Sequence, residues 1–493
     1  MTPPAILRRP VWLLAAALLV PALRADEVTI TILHTNDLHA HVEPVVVKSK
    51  SYGGYARHVT LVSRFRESDP NVLILSGGDT FQGTLYFHVY QGLADLFFLH
   101  QMGYDGMAVG NHEFDRGPAA LGVFAANARF PVLAANLDVS REPSLAGLVR
   151  PHAVVEVGGT RVGLVGAVTP ELPRVSSPGE SVKMKDVAES IAASIATLDA
   201  DGVSIVILLS HLGYHAEQDL ASKVAGIDLV VGGHSHTFLG DTGDANLPAG
   251  EGPYPTVVER PGGDRTLLVS AGEWGIELGR IQVIFDDSGR VARWQEARPI
   301  VVGESVPEDP LARSAVLALS APIEAMRKVV ICEIEAGLDA DREAVRRREC
   351  PLGNAVADAM LDAAARTEAQ IAIVNGGGIR DSLKAGPVTY EDLVRVQPFT
   401  NTLVVLELTG AELRTALEHG VSGWDDATGG FLHVSRGTAY EFDLARPPGE
   451  RIVSVTLGGK PIDPAAIYRV AMTSFLAAGG DGFDVLAGAK GYR

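Results

Sequence analysis

The sequence predicts an α/β protein of two domains, and three observations carry that expectation. The chain has 493 residues, 46% hydrophobic and 21% charged, too long for one simple core and too ordinary in composition for a disordered or fibrous chain. Its 53 glycines and 28 prolines suit many short connections and argue against long helical bundles. Short runs of Val, Ile and Leu alternate with helical stretches, as an α/β architecture requires.

The first element is an address rather than a fold. Arg8 and Arg9 precede the apolar run Val11 to Val20, followed by Pro21 and a stretch ending at Ala25, the pattern of a secretory signal peptide over residues 1–25. The run is shorter than the roughly 20 apolar residues a spanning helix needs. An exported protein, periplasmic or extracellular and without a stable membrane anchor, is the expectation. In an oxidising compartment the two cysteines, Cys332 and Cys350, are expected to pair across a short loop.

Strands are expected at Val28 to His34, Val72 to Ser76, Gly106 to Val109, Val203 to Ser210 and Ile227 to Gly232, with helices at Asp186 to Leu198 and Ala216 to Val224. This unit is assigned to residues 26–310. The Pro-rich break near residues 303–312 precedes a helix, Leu311 to Lys328, which makes 311–329 a linker. The second unit, 330–493, carries expected strands Ile371 to Val374, Leu403 to Leu408 and Tyr468 to Thr473 and helices Leu352 to Ala365 and Gly410 to Glu418.

In open α/β sheets, ligands bind beyond the carboxyl ends of strands. Five such ends carry metal-ligand side chains. Asp37-Leu38-His39 follows the first strand, where extended backbone would turn residues two apart to one side. Gly77-Gly78-Asp79 leaves a carboxylate able to bridge two cations. Gly110-Asn111-His112-Glu113-Phe114-Asp115 offers a neutral carbonyl ligand and a proton carrier. His211 ends a fourth strand, and Gly232-Gly233-His234-Ser235-His236 follows a fifth. Mixed nitrogen and oxygen ligands of this kind suit two divalent ions such as Zn or Mn. His34, His41 and His215 match no ligand position.

The ordered set Asp-x-His, Gly-Asp, Gly-Asn-His-Glu, His, Gly-His-x-His resembles the calcineurin-like metallophosphoesterase superfamily over residues 28–290. The resemblance implies an α/β sandwich in which Asp37, His39, Asp79 and His236 hold one ion while Asp79, Asn111, His211 and His234 hold the other. His112 would act on the phosphoryl or leaving oxygen, oriented by Asp115.

In the last third, Asn375-Gly376-Gly377-Gly378-Ile379-Arg380 places an arginine fork after a flexible turn, able to clasp phosphate oxygens. Gln397-Pro398-Phe399-Thr400-Asn401 and Ser474-Phe475 to Phe483 place phenylalanines in polar, glycine-rich loops. These motifs, in this order, resemble the C-terminal substrate-binding domain of the 5'-nucleotidase family, including the bacterial periplasmic UDP-sugar hydrolases. The resemblance implies that Phe399 and Phe475 stack on a base, that Asn401 and Asp481 contact the nucleoside, that Arg342, Arg346 and Arg380 bind phosphate, and that Asn375 belongs to the same site. Members often carry Asn where this chain has Ser474. The resemblance also implies rotation of one domain against the other about the interdomain helix.

The expected function is hydrolysis of nucleoside 5'-monophosphates, with UDP-sugars as candidate further substrates. The alternative is a 2',3'-cyclic-nucleotide phosphodiesterase and 3'-nucleotidase using the same metals. A net charge of -18 disfavours nucleic acid as a partner; the resemblance implies a small nucleotide as the partner, and a monomer is expected. Neither a G-x-S-x-G elbow nor a P-loop occurs, which disfavours serine hydrolases and P-loop NTPases. A nucleotide-binding protein without turnover would be expected to lack His112 or a bridging carboxylate, and both are present.

Overall fold

A computed structural model describes residues 27–260, 264–399, 401–487 and 489–492. The expected signal peptide, residues 1–25, lies outside the described residues.

Two sheets form the N-terminal unit. In the seven-stranded sheet, Val28–Thr35, Val72–Ser76, Gly106–Ala108 and Val132–Leu133 run parallel, and the hairpin Glu277–Phe285 with Val291–Val301 extends the edge beside Val28–Thr35. In the six-stranded sheet, Thr160–Val168, Ile205–His211, Leu229–Val231 and Arg265–Val269 run parallel. Ile30, Ile32, Leu73 and Leu75 of the first sheet share one buried cluster with Leu164, Ile207, Leu209 and Leu229 of the second. Both faces of these strands are covered, which is why the sequence reads as continuous apolar runs rather than as alternation.

Helices close the outer faces. Tyr55–Ser68, Leu93–Met102 and Pro118–Asn127 bury Val59, Leu99 and Phe124 against the first sheet, and Val187–Ala200 and Tyr214–Lys223 bury Ile191 and Leu220 against the second. Val187–Ala200 starts where Asp186 caps it, its carboxylate accepting from Glu189 N at 2.9 Å. The result is a helix–sheet–sheet–helix sandwich. Because neighbouring central strands are parallel, their carboxyl ends collect along one edge.

The linker helix spans Pro310–Arg327, started by an Asp309 cap on Ala312 N and by Pro310 in its first turn. Ala312, Val316 and Ile323 bury its inner stripe in the N-terminal core. At its far end, Arg327 ties three pieces of chain together. Its Nε donates to Glu391 of the second unit at 2.9 Å, one terminal nitrogen to Glu324 at 3.0 Å, and the other to Glu43 of the first unit.

The second unit is built on a five-stranded sheet, ordered Leu432–Val434, Ile371–Asn375, Ile467–Thr473, Leu403–Thr409, Lys490–Tyr492. Helices Pro351–Ala363 and Gly410–Ser422 pack on it. Thr409 and Glu412 form a reciprocal capping box at the start of the latter.

One expectation fails here. Cys332 and Cys350 are free thiols, not a bridge. Cys332 is exposed on the strand Val330–Ile334, whereas Cys350 is buried with Val345 and Leu352 and caps the helix Pro351–Ala363, its sulfur accepting from Gly353 N at 3.4 Å. Capping and packing hold the Cys350 sulfur where Cys332 does not reach it.

Glu277, at the start of its strand, is 1% exposed, and its Oε2 finds no hydrogen-bond partner among the described residues. Burial pushes its carboxyl up to about 8. The folded state therefore binds a proton that the unfolded chain, titrating near 4.5, has already lost, so Glu277 reduces stability progressively as pH rises between those values. Glu277→Gln should raise the melting temperature, with a gain that widens from pH 5 to pH 8. Thermal melts of both proteins across that range would contradict the assignment if the difference were constant.

Candidate metal centre and nucleotide cleft

All seven expected ligands meet at the shared strand edge. Asp37, His39 and His236 place one donor atom each within 4.8 Å of one another, as do Asp79, His211 and His234, and as do His39, Asp79 and His112. Asn111 joins through Oδ1, which lies 3.2 Å from His211 Nε2 and 2.9 Å from His234 Nδ1. His211 Nε2 is 2.9 Å from Asp79 Oδ2, and His236 Nε2 is 3.3 Å from Asp37 Oδ1. Asp79 faces both groups of donors.

The local route differs from the expected one. Asp37 and His39 do not share a side by strand alternation. They stand beyond Thr35 in left-handed turns, with φ of 49° and 47°, and Asp79, His234 and His236 do the same at 52°, 76° and 57°. Such backbone costs on the order of 1–3 kcal/mol per non-glycine residue and persists where surroundings over-determine it. Glycine permits the approach at Gly110, where an added Cβ would stand 2.1 Å from Asp79 Oδ1.

The donor chemistry fits divalent cations. His211 Nδ1 faces Gly77 O at 2.8 Å and His39 Nδ1 faces Phe81 O at 3.1 Å. A ring N–H donated to each carbonyl leaves the Nε2 lone pair pointing inward, the arrangement typical of metal-binding imidazoles. The two inward nitrogens His39 Nε2 and His236 Nε2 are 3.2 Å apart. Burial, joined by neighbouring imidazoles, pushes His39 and His234 down to about 3, so both are neutral and have a lone pair to give. Burial opposes ionisation of Asp79, but His211 and His112 outweigh it and hold the carboxyl well below its usual range. His211 and His236 are raised to about 10 and about 9, against burial, by the carboxylates beside them. A cation held by those carboxylates would take the place of these protons.

His112 sits at the rim of this cluster. Its Nδ1 lies 2.6 Å from Asp115 Oδ2, and its Nε2 lies 3.9 Å from Asp79 Oδ2. Burial lowers its basicity, and Asp115 and Asp79 more than restore it, for a net upward shift. His34, His41 and His215 stay out of the cluster. His34 bonds Tyr254, His41 stacks on Trp274 and His215 lies against Tyr214.

A cavity of about 1110 Å³ joins these groups to the second unit, and all eight expected substrate residues line it. The Phe399 ring stacks at 6.0 Å and 25° from His112, with the Arg380 guanidinium 5.9 Å above it. Elsewhere on the cavity wall, Asn401 Oδ1 accepts from Phe475 N at 3.2 Å and from Ser474 Oγ at 3.3 Å, so Ser474 knits the two phenylalanine loops together. Asn375 does not face the cavity alone. Its Nδ2 donates to Asp481 Oδ2 at 2.6 Å and so orients that carboxylate. No carboxylate pairs with Arg342, Arg346 or Arg380 among the described residues. Burial and the two neighbouring guanidinium groups bring Arg346 down to about 9, the mark of a pocket short of anions.

Residues 30–238 match the calcineurin-like phosphoesterase model, and residues 330–488 match the 5'-nucleotidase C-terminal domain. The 5'-nucleotidase of Homo sapiens is 35% identical over 515 residues, covering 98% of this chain and 89% of that protein, and that of Diplobatis ommata is 36% identical over 491 residues, covering 94% and 84%. The crystal structure of a 5'-nucleotidase precursor from Thermus thermophilus matches with a TM-score of 0.88 at 46% identity, covering 94% of this chain and 93% of that one. The chain belongs to the 5'-nucleotidase family. As a member it is a metal-dependent phosphoester hydrolase, with nucleotide hydrolysis as its chemistry and the family's two α/β domains as its frame.

Three residues of this 5'-nucleotidase family site escaped the sequence reading. Glu113 is fully buried and accepts from four backbone N–H groups, those of Asp79, Thr80, Phe81 and Gly110, at 2.7–3.1 Å. It holds the Asp79 turn against the Asn111 turn. Its only signal was its place in Gly-Asn-His-Glu. Asn36 bonds Asp37 Oδ2 at 2.9 Å and Gly272 O at 2.6 Å, and Glu273 Oε2 lies 2.5 Å from His236 Nδ1. Neither carries a motif signal: Asn36 adjoins Asp37 but also reaches Gly272 across the chain, and Glu273 acts on the His236 turn from elsewhere in the chain.

Glu113→Gln removes an acceptor from two of those N–H groups. With the fold intact by circular dichroism, titration calorimetry with Mn²⁺ or Zn²⁺ should show affinity reduced about 10- to 100-fold, the usual cost of losing support for metal ligands. Unchanged affinity would deny Glu113 this role.

Proposed function

We propose that this protein is an exported, monomeric 5'-nucleotidase that hydrolyses nucleoside 5'-monophosphates to nucleoside and phosphate with two divalent cations such as Zn or Mn. The observation that carries the reading is a single cavity in which the Asp/His cluster, three guanidinium groups without carboxylate partners among the described residues and two phenylalanines converge. Support for export comes from the leader-like residues 1–25 and from the Thermus relative being a precursor. Among the described residues no helix is long and apolar enough to cross a membrane.

Asp37, His39, Asp79 and His236 would hold one cation, and Asp79, Asn111, His211 and His234 the other. Bound there, the cations supply Lewis acidity at phosphorus and lower the pKa of an attacking water. The chain's own groups do the rest. Arg342, Arg346 and Arg380 clasp phosphate oxygens, and their mutual repulsion favours the anion that relieves it. Phe399 and Phe475 take the planar base, with Asn401 and Asp481 at the nucleoside. His112, its Nδ1–H given to Asp115, turns Nε2 toward the cleft, where the imidazolium donates to the phosphoryl or departing oxygen. The Phe399 ring beside it helps exclude water.

Phosphate release from AMP, 3'-AMP, 2',3'-cyclic AMP and UDP-glucose, measured with defined Mn²⁺ or Zn²⁺, should show AMP preferred over the 3' and cyclic compounds. Preference for 3'-AMP or the cyclic nucleotide would move the activity to the 3' side of the ribose. His112→Ala should keep its metals by elemental analysis and lose about 10²- to 10⁴-fold in kcat, the span of general acid–base catalysis. Asp79→Asn should lose metal and turnover together. Normal turnover by the first variant would remove His112 from the mechanism.

Phe399→Ala or Phe475→Ala should raise KM for AMP by roughly 5- to 150-fold, corresponding to about 1–3 kcal/mol of stacking per base. Inorganic phosphate, which has no base, should inhibit both variants as it does the parent. An equal loss of phosphate inhibition would show that the rings serve the phosphate end instead.

A further inference from the structure

Asp115 uses its two oxygens for different partners. Oδ2 faces His112 Nδ1 at 2.6 Å, and Oδ1 accepts from the Ser176 hydroxyl at 2.8 Å. The Asp115 backbone is already fixed, since its N–H closes the turn onto His112 O at 3.1 Å. What remains free is rotation of the carboxylate about its own side-chain bonds. A carboxylate held at one oxygen can swing, whereas one held at both, from different directions, cannot.

Ser176 is itself held. It follows the short helix Leu172–Val175, its N–H bonds Leu172 O at 3.1 Å, and Leu172 is fully buried in the N-terminal core. The hydroxyl lies at the cavity wall and is mostly buried. The same short helix packs against the turn Gly480–Gly482 of the second unit, which carries Asp481. A side chain added at Gly482 would come 3.8 Å from Arg174 Nη1.

We propose that Ser176 is a positioning residue for hydrolysis: its hydroxyl locks the Asp115 carboxylate and thereby aims His112 Nε2 at the scissile ester. The hydroxyl is the donor and Asp115 Oδ1 the acceptor. That assignment makes Asp115 the acceptor of the His112 Nδ1–H as well, and leaves Nε2 as the nitrogen that faces the substrate. Because the Ser176 segment also touches the nucleoside-side turn, the aim of the imidazole is tied to how the second unit sits over the cleft. The inference rests on the role given to His112 above.

The test is a double-mutant cycle of Ser176→Ala and Asp115→Ala, with Ser176→Thr as the conservative variant, on AMP and on p-nitrophenyl phosphate with Mn²⁺. Ser176→Ala should lower kcat about tenfold, the lower range for losing a supporting hydrogen bond, with KM unchanged. Ser176→Thr should restore most of it, and Ser176→Ala should add nothing in the Asp115→Ala background. A raised KM with unchanged kcat, or losses that multiply fully in the double variant, would overturn the proposal. If the parent hydrolyses p-nitrophenyl phosphate and not AMP, the nucleotide reading fails while the cycle on the aryl ester still decides the role of Ser176. Should neither ester turn over, ¹⁵N-histidine NMR of the metal-free protein supplies the answer. The His112 Nδ1–H resonance should shift in Ser176→Ala and return in Ser176→Thr, and an unmoved resonance would overturn the assignment.

Discussion

The structure depends on holding ionisable side chains together, out of water, at the edge where two parallel sheets end. Asp37, Asp79 and His211 have essentially no exposed surface. Burying such groups unpaired costs several kcal/mol each. The fold meets that cost by setting carboxylate against imidazole, as with Asp79 and His211, and by giving outer ring nitrogens to backbone carbonyls. Five of the seven candidate ligand residues then take left-handed backbone, a strain that the packed sandwich and the Glu113 hydrogen bonds keep in place. A weaker core would let these turns relax into ordinary loops and the donor cluster with them.

Neither domain makes the cleft alone. The first supplies the anionic and imidazole donors, and the second supplies guanidinium groups and aromatic rings. The two chemistries meet because the second domain brings Phe399 over His112 and because Arg327 binds carboxylates from both units and from the helix between them. The candidate cation ligands and the guanidinium groups thus face one cleft from opposite walls, with the phenylalanines on the second domain's side.

Much of this was legible in the residues. The strand Val72–Ser76 has the bounds its apolar run indicated, and the linker helix differs from expectation by one residue at each end. Long apolar runs identify strands covered on both faces, and ligand-type side chains after each run identify the site. The Asp37 and His39 pair was found for a reason the backbone does not use, since left-handed turns rather than strand alternation aim the two groups. The cysteine pairing was misread because redox habit says nothing of where a sulfur is held. Cys350 has a local task at a helix start, and Cys332 lies on an exposed strand.

By itself the sequence determined the α/β alternation, the order of the elements and the kinds of donor at each strand end, because these follow from local periodicity and side-chain chemistry. Tertiary structure alone decided which donors share a space, that Asn375 serves Asp481, that Glu113 pins two turns, and that Ser176 takes the second oxygen of Asp115. Hydrogen bonds and metal ligation depend on distance and direction to within tenths of an ångström. Between residues far apart in the chain, those quantities are set by packing and leave no mark on the local sequence.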